Sequence, residues 1–254
     1  MVLVETRALV KRFGAFTAVD GISFKVERGE VVGFLGPNGA GKSTTMKVIA
    51  GFLEPTEGSA YVAGHDSQLD PVAARQRLGY LPEGAPAYPD MTVGAFLEFV
   101  AAMRGLSKPT TRERLGELVE RIDLAEVWGR RIEALSKGFK RRVGIAQALV
   151  HDPDVLILDE PTDGLDPNQK HEMRELIRTL APNKAIVVST HILEEVEAIC
   201  TRAIIIARGK LMADSTPAEI LARAPARDPA IQQLVRTTPL EDAFRHITLE
   251  SAGS

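Results

Sequence analysis

Nine consecutive residues near the start of the chain constrain its fold more than any other stretch. They are Gly36, Pro37, Asn38, Gly39, Ala40, Gly41, Lys42, Ser43 and Thr44, and they match the phosphate-binding loop pattern GxxxxGK[ST] at every required position. An apolar run, residues 30–35, precedes the loop, and residues 43–52 have helical character. Because a phosphate-binding loop joins a strand to a helix, this context predicts a nucleotide-binding α/β protein.

The loop has the chemistry that a polyphosphate requires. Gly36, Gly39 and Gly41 allow successive backbone N–H groups to turn inward around phosphate oxygens. The N-terminus of the following helix adds about half a positive elementary charge. Lys42 can reach the β- and γ-phosphates, and the Ser43 hydroxyl is placed to bind Mg²⁺. A glycine-rich turn with a surface lysine is the alternative, but it leaves the flanking strand and helix unexplained.

The composition is that of a soluble globular protein, with 44% hydrophobic and 26% charged residues. The net charge of -3 argues against nucleic acid as the main partner, although a local basic patch is compatible with it. The single cysteine, Cys200, cannot form an internal disulfide, and no Cys/His spacing indicates zinc. Signal-peptide and membrane-span patterns are absent from the sequence, so we expect a cytoplasmic protein.

Two acids stand at the end of a second apolar run, residues 155–160. A buried parallel strand has this form, and its carboxyl end faces the ligand in α/β proteins. Asp159 is therefore a candidate ligand of Mg²⁺, and Glu160 a candidate to polarise the water that attacks the γ-phosphate. A solvated strand end is the alternative. His191 ends a third such run, residues 185–190, and this position favours a catalytic role over the structural role of most lone histidines.

The middle of the chain has amphipathic helix patterns and almost no strand signal. This predicts an all-helical insertion, at about residues 85–152, between two halves of an α/β core. It ends in the motif Leu-Ser-Lys-Gly-Phe, where Ser136 is a plausible helix N-cap whose neighbouring N–H groups can bind an anion. An ordinary capped helix explains this motif equally well.

The two ends of the chain give weaker signals. Residues 2–26 are predicted to form a small layer of β-strands ahead of the phosphate-binding loop. Phe13 in this layer either packs in the core or stacks on a base, a contact that contributes about 1–3 kcal/mol and hardly distinguishes one base from another. Residues 223–254, with three prolines, are predicted to form an appendage outside the core.

Together, these motifs closely resemble those of the nucleotide-binding ATPases of ABC transporters, over residues 1–222. The resemblance implies a P-loop NTPase core, formed by a RecA-like sheet and an antiparallel β subdomain, with the all-helical signature subdomain inserted. It implies that Phe13 stacks on adenine and that the loop from Gly36 to Thr44 binds the phosphates of ATP. Lys42, Glu160 and His191 would then serve hydrolysis, with His191 as the switch histidine that senses the γ-phosphate.

The resemblance also implies partners. In that family two such domains sandwich two ATP molecules head to tail, so Ser136 and Gly138 would complete the ATP site of the other copy. Because one chain carries both half-sites, an ATP-dependent homodimer is the simplest assembly. A separate membrane permease would contact the surface near residues 83–92, which would place the chain on the inner face of the cell membrane.

Two departures from the family pattern are visible. Glu83 stands where a glutamine is usual, and the usual LSGGQ reads Leu-Ser-Lys-Gly-Phe. The carboxylate of Glu83 can still bind Mg²⁺, whereas Phe139 lacks an amide that could bond across the dimer. These variants and residues 238–244 look similar to ATPases that serve ABC-2 type exporters, including gliding-motility and multidrug branches. The expected function is ATP hydrolysis that drives export; the alternative is a soluble ABC-type ATPase in translation, DNA repair or cluster assembly.

Overall fold

The structure of the chain is a computed structural model. It describes residues 1–222, 243, 244 and 246–248. The strands are β1 (Val2–Phe13), β2 (Phe16–Glu27), β3 (Val31–Leu35), β4 (Glu57–Val62), β5 (His65–Asp66), β6 (Leu78–Leu81), β7 (Val155–Asp159), β8 (Ala185–Thr190), β9 (Arg202–Ala207) and β10 (Lys210–Ser215). The α-helices are α1 (Lys42–Ile49), α2 (Pro71–Gln76), α3 (Val93–Met103), α4 (Lys108–Arg121), α5 (Lys137–Leu149), α6 (Pro167–Leu180), α7 (Leu193–Ile199) and α8 (Pro217–Leu221).

A six-stranded sheet forms the centre of the fold, with strand order β10-β9-β3-β8-β7-β6. All neighbours in it are parallel except β10, which pairs antiparallel with β9. Every residue of β3, β7 and β8 is buried, as their continuous apolar sequences predict for parallel strands covered on both faces. The predicted α/β class is confirmed.

Alternate residues of the central strands face two different hydrophobic cores. Val31 and Leu35 of β3 pack into the core that holds the helical part of the chain. Val32 and Phe34 pack into a second core, which they share with the smaller sheet and α1. The ring of Phe34 lies edge-on to that of Phe24 in β2, with centroids 5.0 Å apart. This alternation follows from the two-residue period of a strand.

The smaller sheet is antiparallel and has strand order β2-β1-β4-β5. Its first two strands are the N-terminal β layer that the sequence predicts. The predicted combination of a RecA-like sheet with an antiparallel β subdomain is therefore confirmed. One boundary differs: α1 ends at Ile49, short of the predicted residue 52, because the N–H groups of Phe52 and Leu53 turn back to the carbonyl oxygen of Lys47.

Three helices, α3, α4 and α5, fill the middle of the chain. The hydroxyls of Thr92, Ser107 and Ser136 cap their N-termini by accepting hydrogen bonds from the N–H groups three residues further on. α5 also packs against β6, and so joins the helical region to the larger sheet. The division into an ATPase domain at 1–222 and an appendage at 223–254 remains a prediction, because most of the appendage lies outside the described residues.

The partly buried ring of His151 gives the fold a pH dependence. Its Nε2 atom lies 3.0 Å from the carbonyl oxygen of Leu78, and burial, helped by the charge of Arg104, lowers the pKa of His151 from 6.5 to about 4. Between these pKa values the unfolded chain binds the proton and the folded chain does not. The free energy of unfolding therefore falls as pH falls through this window, by about 2 kcal/mol from pH 7.5 to pH 5.

Urea denaturation at these two pH values measures this effect. In the variant His151→Gln, the loss of stability at pH 5 should be smaller than in the wild type by about 2 kcal/mol. The matched control is His171→Gln, since His171 is exposed on α6. Equal pH dependence in the wild type and His151→Gln would contradict the assignment.

Candidate functional site

The carboxyl ends of three neighbouring strands meet at one edge of the larger sheet. The parallel register pairs Leu35 of β3 with Thr190 of β8, and Asp159 of β7 with Ser189 of β8. The phosphate-binding loop follows β3, Asp159 ends β7 and Glu160 comes directly after it, and His191 follows β8. Ligands of open α/β sheets bind outside this edge.

The phosphate-binding loop passes so close to its neighbours that two of its glycines leave no room for a side chain. A β-carbon on Gly36 would lie 2.2 Å from the carbonyl oxygen of Ile206, and one on Gly41 would lie 2.5 Å from that of Ala18. Gly41 also has a φ of +106°, which L-residues with side chains rarely adopt. α1 begins at the next residue, so the positive end of its dipole faces the loop.

Lys42 is buried and folds back over the loop that precedes it. Its Nζ atom donates hydrogen bonds to the carbonyl oxygens of Gly36, at 2.6 Å, and Pro37, at 3.2 Å. Burial lowers the pKa of Lys42 below its ordinary value, while the charges of Glu160 and Asp159 oppose that change. The ammonium group of Lys42 thus lies within the electrostatic influence of two carboxylates. It can exchange its two carbonyl partners for phosphate oxygens.

Asp159 is buried at the end of β7 and is held by two hydroxyls. Ser43 donates a hydrogen bond of 3.3 Å to its Oδ1 atom, and Ser189 donates another to the same oxygen. A serine hydroxyl beside a carboxylate is a set of hard oxygen donors, which suits Mg²⁺. The structure therefore brings together Ser43 and Asp159, two of the three predicted metal ligands.

The third predicted ligand, Glu83, lines a cavity of about 360 Å³ together with Asp159 and Arg141. Arg141 comes from α5 and is buried, yet its Nη1 atom has no hydrogen-bond partner in the part of the chain that the structure describes. Burial lowers the pKa of Arg141, and the negative charge of Asp163 is the largest of several that oppose this change. The cavity is therefore lined by carboxylates together with one arginine.

Glu160 has an unusual backbone conformation and a direct contact with His191. Its φ is +49°, in the left-handed region, where strain often accompanies function. Its N–H group donates to the carbonyl oxygen of Ser189, at 3.2 Å, and to the hydroxyl of the same residue, at 3.0 Å. Its Oε1 atom lies 3.2 Å from Nδ1 of His191. Two of the three predicted catalytic side chains, those of Glu160 and His191, are thus neighbours.

Three other predicted site residues lie apart from this cluster. Phe13 is 48% exposed at the end of the β1–β2 hairpin, with the Nζ atom of Lys11 lying 5.2 Å from its ring centroid. It is therefore not a core residue. Ser136 is exposed at the start of α5, where its hydroxyl accepts from the N–H group of Phe139 at 3.3 Å. Gly138 is buried, and a β-carbon there would lie 2.7 Å from the side-chain amide of Gln169 in α6.

The sequence does not single out three further residues of this region, namely Ser189, Arg141 and Glu195. Ser189 has a usable signal, because it precedes His191 by two positions at the end of a buried strand. Glu195 has none, since α7 also carries Glu194 and Glu197, and only the structure shows that Glu195 is the buried one. Arg141 is one cation in a basic stretch, and the sequence does not reveal its burial.

A glycine-rich loop between a parallel strand and a helix, facing carboxylates at the next strand end, defines a P-loop nucleotide-binding protein. Comparison with known protein families shows which P-loop family the chain belongs to. Residues 19–163, more than half of the chain, match the family described as ABC transporter. The chain therefore belongs to the ABC transporter family, as an ATP-binding protein.

Similar proteins and structures agree with this family. The probable multidrug ABC transporter ATP-binding protein YbhF of Escherichia coli strain K12 is 38% identical over 235 residues, which are 91% of this chain and 40% of that protein. The Nod factor export ATP-binding protein I of Ralstonia nicotianae is 39% identical over 220 residues, or 86% of this chain and 68% of that protein. A solved structure of an ATP-binding subunit of an ABC transporter has 31% identity and a TM-score of 0.82, covering 96% of this chain and 99% of that one.

The chain covers only part of the length of these two relatives. It spans about two fifths of the multidrug relative's length and about two thirds of the Nod factor relative's length. Among the helices of the described residues, none combines the length and the apolar character that crossing a lipid bilayer requires.

Proposed function

We propose that this chain hydrolyses ATP and that hydrolysis drives export through a separate membrane permease of the ABC-2 type. The proposal rests on one observation: Lys42, Asp159 and the Glu160–His191 pair lie together at the carboxyl ends of neighbouring strands. Relatives named for multidrug and Nod factor export support the exporter part. The contacts that select the transported substrate would lie in the permease.

In this mechanism the loop and Lys42 bind the phosphates of ATP. Ser43 and Asp159, with Glu83 nearby, would hold Mg²⁺, which when bound neutralises charge on the phosphate oxygens. Glu160 accepts a hydrogen bond from a water and orients it toward the γ-phosphate. Attack forms a bond from phosphorus to the water oxygen and breaks the phosphorus–oxygen bond to ADP, while a proton of the water passes to the carboxylate of Glu160, leaving ADP and inorganic phosphate. His191, beside Glu160, is the group proposed to sense the γ-phosphate.

The proposed assembly is a head-to-tail homodimer closed by ATP. Ser136 is exposed at the N-terminus of α5, a helix of 13 residues, so its O–H group can donate to phosphate oxygens of ATP bound to the other copy, at the positive end of the helix dipole. Phe13 is exposed on the hairpin whose second strand touches the loop at Ala18. This position supports stacking on adenine.

An open apolar groove beside residues 83–92 is the proposed contact with the permease. Its volume is about 710 Å³, and its lining includes Tyr88, Phe99 and Met103, which are all exposed. The rings of Tyr88 and Phe99 stand edge to face, 5.8 Å apart. Exposed apolar patches of this kind mark interaction sites. Contact through this groove would hold the chain on the inner face of the cell membrane.

A charged residue in the groove should prevent binding to the permease and leave the rate of ATP hydrolysis unchanged. In Tyr88→Asp or Phe99→Asp, we expect the purified chain to keep its ATPase rate within about twofold, because the groove lies apart from the Glu160–His191 pair. The same variants should no longer purify with an integral membrane protein from detergent-solubilised membranes. Leu69→Asp is the control, because Leu69 is 88% exposed and does not line the groove. Recovery of the chain with ribosomes or DNA would contradict the transport proposal.

A further inference from the structure

We propose that Glu195 is a positioning residue for ATP hydrolysis, because its carboxylate joins the segment after Glu160 to the segment before His191. Glu195 lies on α7 and is only 1% exposed. Its Oε1 atom accepts a hydrogen bond from the hydroxyl of Thr162. Its Oε2 atom accepts one of 2.9 Å from the hydroxyl of Thr190. One side chain thus joins the loop that follows β7 to the C-terminal end of β8.

The donors and acceptors of this cluster suit a carboxylate. The Oγ1 atom of Thr190 accepts a hydrogen bond of 3.0 Å from the N–H group of Ile192, and its O–H donates to Glu195, because a carboxylate can only accept. Thr162 is buried as well and donates to the other oxygen. A carboxylate offers one acceptor oxygen to each hydroxyl, whereas an amide has a single one. Lys170, whose Nζ atom lies 3.8 Å from Oε1, is the cation nearest to this buried charge among the ion pairs of the described residues.

The two segments that Glu195 joins carry two of the proposed catalytic side chains, Glu160 and His191. Thr162 follows Glu160 by two positions, and Thr190 directly precedes His191. The contact of 3.2 Å between Glu160 and His191 spans the same two segments. Glu195 therefore sets the spacing of this pair, although it touches neither side chain. The role rests on the proposed function, since it presupposes that the pair acts on ATP.

The substitution Glu195→Gln tests this role, because it keeps the size of the side chain and removes one acceptor oxygen. We expect kcat for ATP hydrolysis to fall about tenfold or more, as when groups that orient reacting residues are lost. KM and the Kd for ATP should change less than about twofold, because no hydrogen bond or ion pair of Glu195 within the described chain reaches residues 36–44. Glu194→Gln and Glu197→Gln, exposed on the same helix, are matched controls expected to retain the wild-type kcat.

The hydroxyl of Thr162, which donates to Glu195, gives a second test. This test does not require that the variants of Glu195 fold. Thr162→Val removes the hydroxyl and should lower kcat to a similar degree, whereas Thr162→Ser keeps it and should restore most of the rate. If both residues act through one link, the double variant Thr162→Val/Glu195→Gln should be no slower than the slower single variant. Cys200, the single and buried cysteine just after α7, reports folding, since it should label with a thiol reagent as slowly as in the wild type.

The possible outcomes separate this inference from the proposed function. A wild-type chain without ATPase activity would overturn both. An active wild-type chain beside a Glu195→Gln variant with unchanged kcat would overturn the role of Glu195 alone. A Thr162→Val variant as fast as Thr162→Ser, or rate losses that add in the double variant, would do the same.

Discussion

Replacing Glu160 by glutamine should lower kcat for ATP hydrolysis by about three orders of magnitude and leave ATP binding intact. Glutamine has nearly the same shape, so the left-handed backbone at this position and its hydrogen bonds to Ser189 can persist. It cannot take up a proton from water as a carboxylate does. Because the phosphate-binding residues are unchanged, ATP should bind and remain uncleaved.

This prediction is measured by steady-state phosphate release, ATP binding at equilibrium, and molar mass with and without ATP. With hydrolysis blocked, the variant should accumulate as an ATP-bound dimer, whereas the wild type should return to monomers as ATP is consumed. Glu194→Gln, which changes an exposed carboxylate, controls for loss of charge alone. Wild-type turnover in Glu160→Gln would show that another group orients the water.

Where each strand ends was visible in the sequence, and this was enough to find most of the candidate site. The apolar runs before Gly36, after residue 154 and before His191 gave the three central strands within about one residue, because buried parallel strands are apolar throughout. The sequence could not show that β3, β8 and β7 are adjacent in that order. Parallel neighbours are joined by long crossovers, so their order depends on packing far from either strand.

Residues that act through buried contacts are harder to predict from the sequence than residues that belong to motifs. Glu195 differs from Glu194 only in the side of α7 on which it lies, and burial of a carboxylate becomes favourable only once Thr162 and Thr190 are placed around it. Arg141 is a similar case, since nothing in its basic surroundings indicates that it faces the cavity lined by Glu83. For Phe13 the sequence leaves a core position and base stacking open, and only the structure shows that it is exposed, beside the tight turn that follows β1.

Replacing Lys42 by alanine should weaken ATP binding by about 100-fold or more and abolish measurable hydrolysis. Lys42 is the buried cation of the loop, and its Nζ atom lies within hydrogen-bond distance of two loop carbonyl oxygens, so it can reach phosphate oxygens at little cost in side-chain entropy. Charge-assisted hydrogen bonds in such a water-poor site are worth about 1.5–3 kcal/mol each, and Lys42 can make more than one of them. Glycines and a helix N-terminus alone do not replace this charge.

Fluorescent ATP titration gives the Kd of Lys42→Ala, and thermal unfolding shows whether the loop change has altered the fold. Lys108→Ala, at the exposed start of α4, is the control for the loss of one positive charge and should bind ATP as the wild type does. In Glu160→Gln the nucleotide should stay bound, and in Lys42→Ala it should not, so the two variants separate phosphate binding from activation of water. Tight ATP binding by a folded Lys42→Ala variant would mean that the loop is not the principal phosphate site, and the roles assigned to Ser43 and Asp159 beside it would then lose their basis.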